Sequence, residues 1–197
     1  DISLSLHTRS STQLRELVSS QGVDFGFGDY DEDHSRTEQT QITRVSADSL
    51  LAVPRGHALA EYDTVPLSAI DGLTFGGMLQ DHRFERRIQS ELNEANIKTN
   101  IRFRSQTVLP LMKFVSTGQC CAIVDPLTVS SAQLIGLRHK DVVFRPMTQP
   151  IRYDYAILVP KLRRLSALSR QLASAWEIFL FDKLDEMQTQ PSKKILD

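Results

Sequence analysis

The sequence predicts an α/β protein with mostly parallel sheets. Three observations carry that reading. Short alternating or continuous apolar runs are separated by segments with apolar residues at i, i+3 and i+4, the periods of strand and helix. The intervening helices are long enough to serve as crossovers between parallel strands. Two apolar extended runs, Leu50 to Val53 and Tyr155 to Val159, each sit between groups of such units. They suit a domain of two lobes in which the chain crosses over and later returns.

The first residues alternate, with Ile2, Leu4 and Leu6 on one side and Ser3, Ser5 and His7 on the other, as in a strand with no lead-in. The chain therefore reads as a piece of a longer protein. Ser10 and Gln13 have the spacing of a capping box, Leu14, Leu17 and Val18 form a helical stripe, and Gly22 stands at the C-terminal cap. Val23 to Gly28 is a short strand, and the acidic stretch Asp29 to Gln41 an exposed loop.

Ile42 to Val45 and Leu50 to Val53 follow as strands, and Val65 to Ser68 opens a short helix closed by Gly72. Leu73 to Gly76 is a strand. Phe84, Ile88, Leu92 and Ala95 line one face of a helix, and Ile97 to Phe103 alternates as a half-exposed strand. Thr107 caps a helix carrying Val108, Leu111, Met112 and Val115, with Pro110 in its first turn and Gly118 at its end. Cys120 to Val124 is a strand buried on both faces, followed by a short helix after Asp125-Pro126. Val142 to Phe144 and Ile151 to Val159 are the last strands. A closing helix from Ser166 buries Leu168, Leu172, Ala175, Trp176 and Phe179, and the polar tail from Gln188 frays.

Composition narrows the function. The chain has 197 residues, 23 Lys+Arg against 24 Asp+Glu, and 41% hydrophobic residues. This is a globular composition with no general electrostatic attraction for nucleic acid and no long apolar membrane span. The two cysteines, Cys120 and Cys121, are adjacent. They form no disulfide framework and indicate a reducing, cytoplasmic setting; on a buried strand both thiols are inert, with oxidant sensing as the competing reading.

No Walker A, GxSxG or HExxH motif is present, and no nucleophile–base pair or cofactor lysine stands out. No cofactor and no metal are expected. Gly26-Phe27-Gly28 lacks the remainder of a dinucleotide fingerprint and reads as a tightly packed strand end. The five histidines lack metal-ligand spacing, and Asp31-Glu32-Asp33-His34 reads as a solvated run.

More specific signals lie where strands end. Ser10-Ser11-Thr12, Gly76-Gly77-Met78 and Gln106-Thr107 are turns rich in hydroxyl or backbone donors, and helix N-termini receive carboxylates. Plain helix capping is the competing account of the hydroxyls. Asp29 and Asp125 follow strand ends and suit either an ammonium group or a local turn. Donors together with acidic acceptors suit a zwitterion such as an amino acid.

Several segments resemble LysR-type transcriptional regulators. Leu51-Ala52-Val53-Pro54-Arg55-Gly56-His57-Ala58-Leu59-Ala60 is similar to the family's "vlPxgHpLa" segment, and Gly22-Val23-Asp24-Phe25-Gly26-Phe27 to its "GelDlai". The run from Phe114 to Pro126, FVSTGQCCAIVDP, is similar to "lVaaGlGvaivdP", and Arg163-Arg164-Leu165-Ser166 to the "rplS" turn. The four occur in the family's order over nearly the whole chain. Asp125-Pro126-Leu127-Thr128 is similar to the branch that answers amino acids and opines.

The resemblance implies a periplasmic-binding-protein-like (type 2) effector domain with an inducer cleft between two α/β lobes. Lobe I would comprise residues 1–51 plus 157–197, lacking the family's first strand and helix, and lobe II residues 52–156. An N-terminal winged helix-turn-helix, absent from this chain, would bind promoter DNA, and the protein would be a homodimer or homotetramer. Carried over by position, the inducer contacts would be Ser10, Ser11, Thr12, Gly28, Asp29, Gly76, Met78, Gln106, Thr107 and Asp125. The function so implied is non-enzymatic sensing of a small metabolite, amino-acid-like or anionic, by changed lobe and subunit arrangement. A periplasmic solute-binding protein of the same fold is the alternative, against which the vicinal thiols weigh.

Overall fold

The computed structural model describes residues 3–30, 39–134 and 141–196. Ile2, the Asp31-Glu32-Asp33-His34 run and His139 lie outside them. The chain divides into two compact units, the first of residues 1–46, 154–182 and 192–197, the second of residues 47–153 and 183–191. The family resemblance puts the crossings at 51/52 and 156/157.

In the first unit, α1 (Ser11–Ser19) begins with the expected capping box. Ser10 Oγ accepts the Gln13 N–H, and the Gln13 side chain accepts the Ser10 N–H. At its end Gln21, not Gly22, takes the left-handed conformation (φ 61°), and the Gly22 N–H donates to Leu17 O at 2.8 Å. β1 (Gly26–Asp29) is packed against α1. A Cβ on Gly26 would stand 2.6 Å from Leu14 Cδ1, which explains the glycine as the close approach expected of it.

β2 (Thr40–Asp48), β8 (Arg152–Pro160) and β9 (Ser192–Leu196) complete a sheet of order β1-β8-β2-β9. β1 runs antiparallel to β8, from Gly26↔Leu158 to Asp29↔Tyr155. β9 runs antiparallel to β2, from Ile42↔Leu196 to Ser46↔Ser192. The sheet and α1 enclose Val18, Tyr30, Ile42, Ala156 and Leu158, with Leu14, Val23 and Leu196 packed against them.

Three expectations are corrected here. The tail does not fray: Leu196 packs on the core, and the backbone of β9 completes the hydrogen bonding of β2. The opening alternation does not make a strand. Residues 3–10 carry no regular structure, and Leu4 and Leu6 are 74% and 92% exposed. Alternation supplies a face, but a strand also needs a neighbour to pair with.

The third concerns α5 (Ala167–Glu186), which runs through the first unit into the second. Its buried side chains are Ala173, Leu180 and Leu184; Leu168, Leu172, Ala175 and Phe179 are exposed, and Trp176 is half-buried.

The second unit contains β3 (Leu50–Pro54), 3₁₀ turns at Ala58–Glu61 and Leu67–Ile70, β4 (Thr74–Met78), α2 (Arg83–Glu94), β5 (Asn100–Ser105), α3 (Val108–Ser116), β6 (Ala122–Val124), α4 (Pro126–Leu134) and β7 (Val142–Arg145). β4 and β5 are parallel, and Cys121 bridges Phe75 in the same sense. β3 lies between β6 and β7, antiparallel to both.

Mostly parallel sheets are thus not what the chain builds. Strands linked through α2 and α3 run the same way, as crossover connections require. Of the strands that lie where the chain passes from one unit to the other, β3 runs against both its partners and β8 against β1. The α/β class stands.

α3 closes one face of the second unit through Met112 and Val115, packed with Ala52, Cys120, Ala122, Val124 and Val142; Phe103 and Phe114 stack there at 4.1 Å. Phe84, Ile88 and Leu92 of α2 are buried, and Phe84 meets Tyr153 edge-on at 4.6 Å. Among the described residues no helix is long and apolar enough to cross a membrane.

Candidate functional site

The residues singled out at strand ends form one group within each unit. In the first, Ser10 to Thr12 lie at the start of α1, and Gly28 and Asp29 end β1. A Cβ on Gly28 would be 4.0 Å from Ser11 Oγ, so the helix start and the strand end adjoin. The Ser10 hydroxyl is occupied as a cap. Ser11 is half-buried and Thr12 exposed.

In the second unit, Gly76 and Met78 lie in β4, Gln106 and Thr107 follow β5, and Asp125 follows β6. Met78 pairs with Ser105, which brings the first two turns together. Gly76 N–H donates to Cys121 O at 2.8 Å and lies over the β6 side of the sheet. Gln106 and Thr107 are exposed, and Thr107 does not cap α3: its side chain makes no cap hydrogen bond. Asp125 does cap. One carboxylate oxygen accepts the Thr128 N–H at 3.2 Å and the other the Thr128 hydroxyl.

The structure adds residues that the sequence reading missed. Glu85, in the first turn of α2, has its carboxylate buried against the end of β4, where it accepts the Met78 N–H at 3.0 Å. That backbone donor is therefore held inside the protein. Gln89 Nε2 and Arg104 Nη1 also donate to Glu85, at 3.1 and 3.3 Å. Gly77 makes the room: a Cβ there would stand 2.7 Å from Glu85 Oε2. In sequence Glu85 sits on a helix of otherwise ordinary amphipathic pattern, and only the glycine pair before it hints at a close approach.

His57 serves a turn, its Nδ1 accepting the Leu59 N–H at 3.2 Å. Among the described residues no cluster of His, Cys, Asp and Glu could hold a metal ion. Both cysteines are free and buried. Burial pushes the Cys120 thiol up to about 11 and the Cys121 thiol up to about 12, the latter raised further by its neighbour. At pH 8 the thiolate fraction is therefore roughly 100-fold below that of an exposed cysteine for Cys120 and roughly 1000-fold below it for Cys121. Ellman's reagent is expected to leave both unmodified in the native protein and to react with both on unfolding. Fast native labelling would show that the strand is not packed as described.

Several solved structures share this fold. HinK, a LysR family transcriptional regulator from Pseudomonas aeruginosa, matches with a TM-score of 0.66 and 16% identity over 85% of this chain and 57% of its own. The CcmR regulatory domain from Synechocystis PCC6803, in complex with 2-PG, matches with a TM-score of 0.62 and 13% identity over 90% of this chain and 79% of that domain. The effector-binding domain of QuiR, in complex with shikimate, matches with a TM-score of 0.64 and 17% identity over 82% of this chain and 74% of that domain. The present chain thus spans little more than half of HinK and most of the two isolated domains. No curated protein matches by sequence. The family described as LysR substrate binding domain matches residues 1–176, nearly the whole chain, and it is a family of binding domains, not of enzymes. The chain belongs to the LysR substrate-binding domain family.

Proposed function

We propose that this chain is the effector-sensing part of a cytoplasmic, DNA-binding transcription regulator that answers a small metabolite. The observation that carries the reading is the family match over residues 1–176. Two proteins of the same fold, CcmR and QuiR, hold 2-PG and shikimate respectively. The strand-end turns support it further: Ser11, Thr12, Gly28 and Asp29 adjoin in one unit, and Gly76, Met78, Gln106 and Thr107 in the other. These are the proposed contacts, with Ser10 and Asp125 at the margin because their side chains already cap helices, and Gly76 and Met78 because their N–H groups are already bonded within the protein.

Effector binding would bias one arrangement of lobes and subunits over another, and so the spacing of DNA-binding heads in a homodimer or homotetramer. DNA contact would come from a winged helix-turn-helix elsewhere in the full protein. Amino acids and opines are the first ligand class to try, from the likeness of Asp125-Pro126-Leu127-Thr128 to that branch.

Thermal-shift screening of small metabolites followed by calorimetry tests the reading. The expected result is one saturable ligand whose stabilisation follows RT ln(1 + [L]/Kd), about 2.7 kcal/mol at a hundred times Kd. Chemical turnover of a bound compound, or a broad metabolite collection without a stabilising member, would end it.

A further inference from the structure

We propose that Arg104 is an anion-binding group of this effector site, and that the effector it selects carries an oxyanion, a carboxylate or a phosphate. The inference rests on the effector-sensing reading and names the ligand chemistry within it. Arg104 lies at the end of β5, opposite Gly77 of β4 and directly before Ser105, Gln106 and Thr107. Its Nη1 donates to Met78 O at 2.9 Å and to Glu85 Oε1 at 3.3 Å. Its Nη2 and Nε make no hydrogen bond among the described residues.

Two other arginines of the chain use the edge that Arg104 leaves open. Arg44 grips Asp154 through Nε and Nη2, and Arg145 holds Ala60 O through the same two nitrogens. That edge is the fork that matches a carboxylate or phosphate with two parallel bonds. In the Arg104–Glu85 pair it is unused.

Burial also makes the pair one-sided. The Glu85 side chain is 3% exposed and that of Arg104 is 29% exposed. The negative partner lies inside, satisfied by the Met78 N–H and by Gln89, and the positive partner lies at the surface. At contact range a ligand therefore meets a guanidinium already oriented, so less side-chain entropy is lost on binding. The Met78 N–H and Gln89 hold Glu85 in the space that Gly77 leaves, and Glu85 holds Arg104. Glu85 is accordingly a positioning residue.

The test follows the Arg104 Nε–Hε signal by NMR, assigned with Arg104→Lys, during titration with acetate, benzoate and inorganic phosphate. Acetamide and benzamide serve as uncharged counterparts. At least one oxyanion is expected to move the signal saturably, while the amides leave it in place. Acetate or benzoate acting without phosphate would identify the effector group as a carboxylate, and the reverse as a phosphate.

The double variant Glu85→Gln/Arg104→Gln leaves no buried unpaired charge, and circular dichroism checks its fold. It is expected to lose at least tenfold in affinity for the active probe. Amides as effective as the oxyanions, no response to any oxyanion, or unchanged affinity in the folded double variant would each overturn the proposal. A metabolite that stabilises wild type and double variant equally would remove the anion site and leave the sensing reading intact. An oxyanion response at Arg104 without any stabilising metabolite would do the opposite.

Discussion

Replacing Asp154 with alanine is expected to destabilise the protein by about 3 kcal/mol, the low end of the range for breaking a buried ion pair. Asp154 is 7% exposed, at the start of the β8 segment that belongs to the first unit. Its carboxylate accepts Arg44 Nε at 3.1 Å and Nη2 at 2.8 Å, and also the Ser46 hydroxyl. Arg44 lies 4.8 Å above the centre of the Tyr30 ring, and the Tyr30 N–H donates to the Asp154 carbonyl. Truncation removes three acceptor contacts at once and leaves a guanidinium without its counterion. The Arg44 side chain is 25% exposed, so water recovers part of the loss, which places the effect low in the range.

Asp154→Asn keeps the shape but cannot serve as a bidentate acceptor for arginine, and should fall between wild type and alanine. Replacing both partners with apolar residues should cost much less than Asp154→Ala alone, because the penalty lies mainly in the orphaned charge. Urea unfolding monitored by circular dichroism measures all three. A loss below about 1 kcal/mol for Asp154→Ala would mean that the pair is solvated and contributes as little as a surface bridge.

Local chemistry was what the sequence expressed well. Ser10 and Gln13 form their capping box because both partners lie within one turn of chain. The α2 stripe of Phe84, Ile88 and Leu92 is buried as its period requires, and Gly118 ends α3 with φ 78°. Ala122 to Val124 is buried throughout, as a continuous apolar run in a central strand should be.

What the sequence concealed depends on partners distant in the chain. Leu4 and Leu6 alternate, yet residues 3–10 pair with no strand among the described residues. Ser192 to Leu196 looks polar, yet its backbone pairs with a strand about 150 residues earlier, and backbone pairing leaves little mark on composition. Strand direction was hidden for a related reason. It is set by whether a strand belongs to the helix-linked series or lies where the chain changes units, and no local pattern records that. In the candidate site, the turns were visible as hydroxyls and glycines. The Glu85–Arg104 pair was not, because its members are 19 residues apart and each looks like an ordinary surface charge.

The orientation of α5 leads to the second large expected effect. Leu180→Ala should cost about 3 kcal/mol, within the 2–5 kcal/mol seen for truncating buried leucines, and Phe179→Ala less than about 1 kcal/mol. The two residues are neighbours in sequence, but Leu180 is 1% exposed and Phe179 is 47% exposed. Phe179 touches the side of Trp176, with ring centroids 5.8 Å apart, and part of its face is already in water. Period alone assigns the helix to the wrong side, because Leu168, Leu172, Ala175 and Phe179 make as regular a stripe as Ala173, Leu180 and Leu184. A helix apolar over so much of its circumference gives a weak signal of which face is covered. Burial separates the stripes and hydrophobicity does not, so the paired measurement is decisive. If Phe179→Ala proves the costlier change, α5 is rotated relative to this description, and the apolar face that period favours is the one in the core.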